Sequence, residues 1–349
     1  MLKYISLILF LVVTVGSISC SSSQRTARSV SSSPQSKASS SDGYTTAFPH
    51  QDISASLQEA QKAMVRLITS VFYNTYSFDD ARVRLADIRT NRPSDIASDQ
   101  FSSEESTAGT SVMLDLNNNG DALLITCEHV VTAPDTIISY FDGDDLPANT
   151  FIKSISIKRS QSNLIFIPGQ LSTFEVIASN SLTDIALLKT NINREARKEY
   201  QPLPFSMGRS DRLQLGSFLY ILGYPKGFPM ITRGVVSTKG LPPHRFFIID
   251  ALFNPGISGG LVISSNDNFN NFEWVGLARS ATASREQVLV PSPNSEDENK
   301  NILRPYRNQI YIDQKHRISY GITQAVPIDE IRSFIDENRG LIRRHGFNY

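Results

Sequence analysis

From Thr107 onward, short apolar runs recur between clusters of Gly, Asn, Asp and Pro: TSVMLDL, ALLITCEHVV, LIFIPGQL, TFEVIAS, DIALLKT, SFLYILGY, ITRGVVST, FFIIDAL, GLVIS, EWVGLARS and YGITQAV. Runs of this length and spacing predict an all-β sandwich or barrel. No long helical pattern separates them, which disfavours a parallel α/β sheet. Helical spacing appears at two places. Leu57, Ala60, Met64, Leu67 and Ile68 predict a helix from Ser54 to Ile68. Near the C-terminus, Ile328, Ile331, Phe334, Ile335, Leu341 and Ile342 share one face of a helix over residues 328–345. Asp329 and Glu330 fall in its first turn and Arg343 and Arg344 in its last, as the helix dipole favours, while Gly340 weakens it or ends it early. Residues 79–107 are polar and turn-rich and predict no element. Residues 285–316 break the strand rhythm with Pro291, Pro293 and the polar run SPNSEDENKN. That pattern predicts a long loop, either a mobile lid or specificity loop or a solvated excursion facing away from the site.

The N-terminal pattern is of another kind. MLKYISLILFLVVTVGSISC carries a single Lys3, an apolar stretch from Tyr4 to Val15 and then small residues up to Cys20. This is the signature of a secretory signal peptide over residues 1–19, with an apolar core too short for a comfortable membrane span. Ser19 immediately before Cys20 resembles the cleavage box of bacterial lipoproteins, although Ser17 stands where that pattern has Leu, Val or Ile. Two readings stay open: lipidation at Cys20, or an ordinary cleaved signal with an incidental cysteine. Residues 20–50 are Ser-rich and bury too little to fold, which predicts a disordered tether. Residues 51–106 then form a helix and extension, and residues 107–349 the main folded domain.

Charge and cysteine content narrow the picture further. The 34 basic and 34 acidic residues balance, so no electrostatic case exists for a nucleic-acid partner. Apart from Cys20, the chain holds only Cys127, so an exported domain must rely on its core rather than on a disulfide.

Candidate chemistry begins at NPGISGG, where Gly256, Gly259 and Gly260 surround Ser258 between two apolar runs. Glycines there mark a backbone that approaches something closely or takes positive φ. The serine is then a nucleophile or a turn residue, since Gly, Pro and Ser also build ordinary turns. A serine hydroxyl needs a base to take its proton, and histidine is the usual choice. Of His50, His129, His244, His316 and His345, only His129 follows a strongly apolar strand. A histidine base needs a carboxylate to fix its tautomer, and Asp184 opens the buried run DIALLKT. Taken singly, His129 reads equally as a structural residue and Asp184 as a solvated strand start.

Together the three segments carry more. ITCEHVV, TDIALLK and NPGISGG resemble the His, Asp and Ser motifs of trypsin-like serine proteases, in that family's chain order, and are most similar to the bacterial high-temperature-requirement (Deg) branch. TAGTSVML ahead of the histidine strand, LGSFLYILGYPKGFPMITRGVVS, Asp250 eight residues before Ser258, and GITQAVP before the terminal helix extend the resemblance over roughly residues 105–340. It implies two six-stranded antiparallel β-barrels, about 107–200 and about 201–327, with N-terminal and C-terminal helices and an active site between the barrels. The resemblance further implies a Ser258, His129, Asp184 triad and an oxyanion hole from the N–H groups of Gly256 and Ser258. Leu252 would form the base of the substrate pocket, with Ala278 and Ser280 on its wall, and Arg279 and the 285–316 segment could reshape it. An apolar floor favours a small or medium apolar P1 residue.

No cofactor and no metal are implied. The partners implied are protein or peptide substrates and a membrane through Cys20, in a bacterial cell envelope facing periplasm or surface. Most members carry a PDZ domain after the protease, and none is expected here. The chain also departs from the family pattern at Cys127, Glu128, Ile257 and Leu261, and the long interval from His129 to Asp184 implies an enlarged loop around residues 140–170. A non-catalytic binding or chaperone-like module on the same fold is the alternative reading.

Overall fold

The computed structural model describes residues 43–80, 82–141, 146–167, 169–241, 246–252, 254–291 and 310–349, with the backbone alone for residues 280–291 and 310–320. The signal peptide, Cys20 and the tether as far as residue 42 lie outside the described residues. Helix α1 (Ser54–Lys62) leads into β1 (Met64–Ser77), and the short helices α2 (Leu85–Thr90) and α3 (Pro93–Ile96) follow. Next come β2 (Asp99–Leu116), β3 (Asp121–Thr126), the single turn α4 (Glu128–Val131), β4 (Thr136–Tyr140), β5 (Ile152–Ile167), β6 (Gln170–Asn180) and β7 (Ile185–Asn191). Six of these strands form a closed antiparallel ring in the order β1-β2-β3-β7-β6-β5, sealed because β1 pairs with both β2 and β5. Strand β4 hangs on β5 outside the ring.

The second half repeats the solution. Strands β8 (Phe218–Gly223), β9 (Met230–Leu241), β10 (Phe246–Ile249), β11 (Gly260–Ser264), β12 (Glu273–Pro291) and β13 (Ile310–Pro327) close a barrel in the order β10-β13-β12-β11-β8-β9. Helices α5 (Ile328–Glu337) and α6 (Arg339–Arg344) end the chain. The fold is thus all-β with two six-stranded antiparallel barrels, and closure leaves neither sheet an open core edge.

Alternation in the sequence decides which side chains enter each barrel. Val65, Leu67, Leu124, Ile165 and Leu188 fill the first, and Leu219, Ile221, Val236, Phe247 and Val262 the second. A third cluster joins them: Val112, Ile125 and Leu187 from the first barrel meet Phe218, Leu222 and Trp274 from the second, with Ile331 and Phe334 of α5 closing the layer. Each fully buried aliphatic side chain contributes about 1.5–3 kcal/mol. The layer therefore fixes the barrels against each other. Trp274 is fully buried and satisfies its indole N–H on the Gly276 carbonyl at 2.8 Å.

Several boundaries differ from the sequence reading, each for a local reason. The N-terminal helix stops at Lys62 rather than Ile68, and Met64–Ser77 becomes a barrel strand whose burial alternates from Val65 to Tyr76. The first barrel consequently begins well before residue 107. Tyr44, inside the expected tether, is buried, and its hydroxyl donates to Glu273 Oε2 at 2.6 Å. The supposed loop around residues 140–170 holds all of β5 instead. The C-terminal helix breaks at Asn338, two residues before Gly340, which sits inside α6. Residues 285–291 and 310–316 are no loop, because β12 and β13 run on as a paired ribbon to Pro291 opposite Ile310. Pro291 is tolerated there because it stands at the last pair. Residues 292–309 lie outside the described residues.

Candidate active site

Strand β3 ends at Thr126, and the chain turns through Cys127 into α4, which carries His129 with a side chain 40% exposed. Asp184 stands immediately before β7 at φ 59 with a side chain only 3% exposed. Left-handed backbone costs an L-residue about 1–2 kcal/mol, least for Asp and Asn. Three donors on the carboxylate offset that cost. Oδ1 accepts the backbone N–H of His129 at 2.9 Å, and Oδ2 accepts His129 Nδ1 at 2.8 Å and Arg279 Nε at 2.7 Å. Burial pushes the Asp184 carboxyl up, but the hydrogen bonds and charge of His129, with Arg279, outweigh it and hold the group below its ordinary 3.8. An ionised carboxylate only accepts, so Nδ1 carries the proton and the neutral ring keeps Nε2 as its acceptor.

Ser258 lies on the loop between β10 and β11 and is 6% exposed. Its Oγ donates to the Arg279 carbonyl at 2.6 Å; among the described residues no hydrogen bond joins it to His129. Arg279 on β12 therefore holds both halves of the site, Asp184 through its side chain and Ser258 through its backbone. The guanidinium carbon sits 4.2 Å from the centre of the Phe246 ring, and Nη1 is 3.5 Å from Gln324 Oε1.

The loop is clamped from the first barrel. Thr110 on β2 donates its hydroxyl to the Gly256 carbonyl at 2.8 Å, accepts the Tyr224 N–H at 2.8 Å, and donates its own N–H to the Ser258 carbonyl at 2.8 Å. Gly256 takes φ 101, and a Cβ there would stand 2.5 Å from the Tyr224 carbonyl oxygen. The N–H groups of Gly256 and Ser258 donate to no described group. Ile257 points inward, 2% exposed.

Of the other expected site residues, Leu252 is 62% exposed, whereas Ala278 is fully buried and presents no surface to a substrate. The Ala278 carbonyl accepts the Gly259 N–H at 2.7 Å and the Cys127 thiol at 3.4 Å, which draws the residue behind the serine loop rather than onto a pocket wall. The side chain of Ser280 lies outside those described. Cys127 is fully buried, and burial pushes its thiol up, so it is no nucleophile. Donor atoms of Cys127, His129 and Asp184 lie within 4.8 Å of one another. The Arg279 guanidinium on the same carboxylate opposes a cation there. Sequence reasoning placed Arg279 near a substrate pocket and passed over Thr110; their contacts follow from strand juxtaposition, which no local signal encodes.

Residues 109–297 match the trypsin-like peptidase domain family. The chain is 27% identical over 183 residues to the serine protease HtrA-like of Staphylococcus haemolyticus, covering 42% of this chain and 28% of that protein. It is 33% identical over 106 residues to a probable periplasmic serine endoprotease DegP-like of Chlamydia trachomatis, covering 28% of this chain and 20% of that protein. The chain thus matches less than a third of the length of either relative. Among solved structures, an HtrA-type protease AlgW with decapeptide is 19% identical, covers 82% of this chain and 68% of its own, and has a TM-score of 0.44.

Proposed function

Because this chain belongs to the trypsin-like peptidase family, we propose that it is a serine endopeptidase of the cell envelope, lipid-anchored at Cys20, with Ser258, His129 and Asp184 as its triad. The observation that carries the reading is the Asp184 carboxylate on His129 Nδ1 at 2.8 Å, which leaves Nε2 as the ring's acceptor. In the first step Ser258 Oγ leaves the Arg279 carbonyl and gives its proton to His129 Nε2. Oγ then bonds to the peptide carbonyl carbon, whose oxygen takes the negative charge. The N–H groups of Gly256 and Ser258 stabilise that charge, a contribution of about 2.7–4 kcal/mol per donor in well-formed sites. The imidazolium returns its proton to the leaving amine as the C–N bond breaks. Water, deprotonated by His129, then attacks the acyl carbon, and His129 returns that proton to Ser258 Oγ as the acyl–oxygen bond breaks. The exposed apolar Leu252 supports a small or medium apolar P1 residue.

A fluorophosphonate tests the reading. It labels the parent chain at one site and does not label the Ser258→Ala variant; labelling that persists in the variant overturns the assignment. For the anchor, Cys20→Ala yields a soluble or unprocessed form, and unchanged detergent-dependent membrane association would mean another anchor. The periplasmic name of the Chlamydia relative supports an envelope location.

Arg279 separates this site from a plain triad. Its guanidinium shares the carboxylate with His129. Arg279→Gln removes the charge and keeps a donor, and kcat falls while the fluorophosphonate still labels Ser258. An unchanged kcat in the variant would show that Arg279 does not act on the pair.

A further inference from the structure

A cavity of about 530 Å³ lies away from Ser258, where α1, β1, β5 and the turn after β8 meet. Arg66 of β1 enters it with its guanidinium carbon 4.9 Å from the centre of the Phe166 ring. Gly227, φ +85, lies close by: a Cβ there would stand 2.8 Å from the guanidinium carbon. Arg66 Nε is buried and unpartnered, and among the described residues the guanidinium makes no hydrogen bond or ion pair. Held against the Phe166 ring with the Gly227 backbone close by, it offers its in-plane edge, which is the geometry of bidentate carboxylate recognition.

The rest of the lining limits the ligand. Tyr200, Tyr224 and Pro229 supply an apolar and aromatic wall. The Tyr224 hydroxyl is committed to the Met64 carbonyl at 3.2 Å. Lys62 is already paired with Glu59 at 2.6 Å, and Glu199 adds a negative charge to the lining. A single uncommitted cation beside an acid suits one carboxylate on an apolar body and disfavours a doubly charged phosphate.

We propose that this cavity binds a monocarboxylate carried on an apolar or aromatic group, with Arg66 as its anchor. The wall is also the back of the serine loop: between Tyr224 and Gly227, Lys226 donates its N–H to the Pro255 carbonyl at 2.8 Å. Tyr224 in turn backs directly onto Gly256. An occupant that fixes Arg66 against Gly227 therefore acts on kcat more than on KM. The rate effect rests on the peptidase reading; the binding does not.

Titration calorimetry on the full chain carrying Ser258→Ala, with N-acetylphenylalanine, its amide, decanoate and inorganic phosphate, tests the site. The acid binds one to one, the amide and phosphate bind at least tenfold more weakly, and Arg66→Met weakens the acid at least tenfold. Decanoate tighter than N-acetylphenylalanine assigns the ligand to free aliphatic acids, and the reverse order to amino-acid or peptide ends. Equal binding of acid and amide, or an unchanged affinity in Arg66→Met with parent-like circular dichroism and urea midpoint, overturns the site. Binding to the fluorophosphonate-labelled parent separates this cavity from the catalytic cleft: it persists if the cavity is the site, and its loss overturns the proposal. Failure to label sinks the peptidase reading and leaves the Arg66 comparison intact. Occupancy that leaves kcat unchanged overturns the coupling.

Discussion

The His129→Ala variant loses on the order of 10⁶ in kcat on a fluorogenic peptide, about 8 kcal/mol of transition-state stabilisation, as when one member of an interdependent triad is removed. The loss is large because nothing else described near Ser258 offers a base: its hydroxyl rests on a backbone carbonyl, and Arg279 and the buried Cys127 cannot take its proton at neutral pH. The fold itself loses little. His129 is 40% exposed, and Asp184 keeps the backbone N–H of residue 129 and the Arg279 Nε after the ring is gone. Thermal midpoints of variant and parent therefore lie within a few degrees while rates differ by orders of magnitude. A residual kcat above a hundredth of the parent's would mean that another group takes the proton.

The largest expected effect on stability is at Gly259. The residue sits at φ +80, and an added Cβ would stand 2.1 Å from the Thr110 carbonyl oxygen, 2.2 Å from Thr126 Oγ1 and 3.2 Å from the Cys127 nitrogen. None of these is the end of a flexible side chain. Thr126 is itself fixed by its hydroxyl bond to the Thr110 carbonyl at 2.6 Å. Gly259→Ala therefore forces apart β2, the start of α4 and the serine loop at once, and costs about 4 kcal/mol or more, in the range reserved for named structural faults. Gly169 provides the comparison, because it too has positive φ, +74, but nothing lies within 4 Å of its Cβ position. Gly169→Ala then shows conformational strain alone, about 1–2 kcal/mol. Urea midpoints for both variants make the test; equal losses would mean that the close approach at Gly259 relaxes at no cost.

How much of this was legible in the sequence depends on whether the signal was local. The strands from Val112 onward announce themselves because each apolar run is short and bounded by turn residues. His129, Asp184 and Ser258 are visible because strand ends and a glycine-flanked serine are local patterns. Strand β1 was hidden because Met64, Leu67 and Ile68 satisfy a helical period while MVRLITSVFYNTYS also alternates; pairing with both β2 and β5 decides between them. The ribbon of β12 and β13 was obscured by Pro291 and the polar run beyond it. The hold of Arg279 on Asp184, ninety-five residues away in sequence, and that of Thr110 on Gly256, a hundred and forty-six away, had no local trace at all.

Thr110 also sets how the two halves of the chain can diverge. Each barrel core can exchange one aliphatic residue for another of similar volume at modest cost, so the interiors are free to drift separately. The hydroxyl of Thr110 is different: its proton goes to Gly256 and it receives the Tyr224 N–H, both in the second barrel. A valine of the same shape would satisfy neither. Position 110 is therefore inherited with the 224–227 turn and the 254–259 loop rather than with its own strand, and co-variation in this lineage should cross the barrel boundary there. A chimera joining the first barrel of one relative to the second of another meets incompatibility at such crossing contacts, Thr110 with Gly256 and Arg279 with Asp184 among them, however well each core packs.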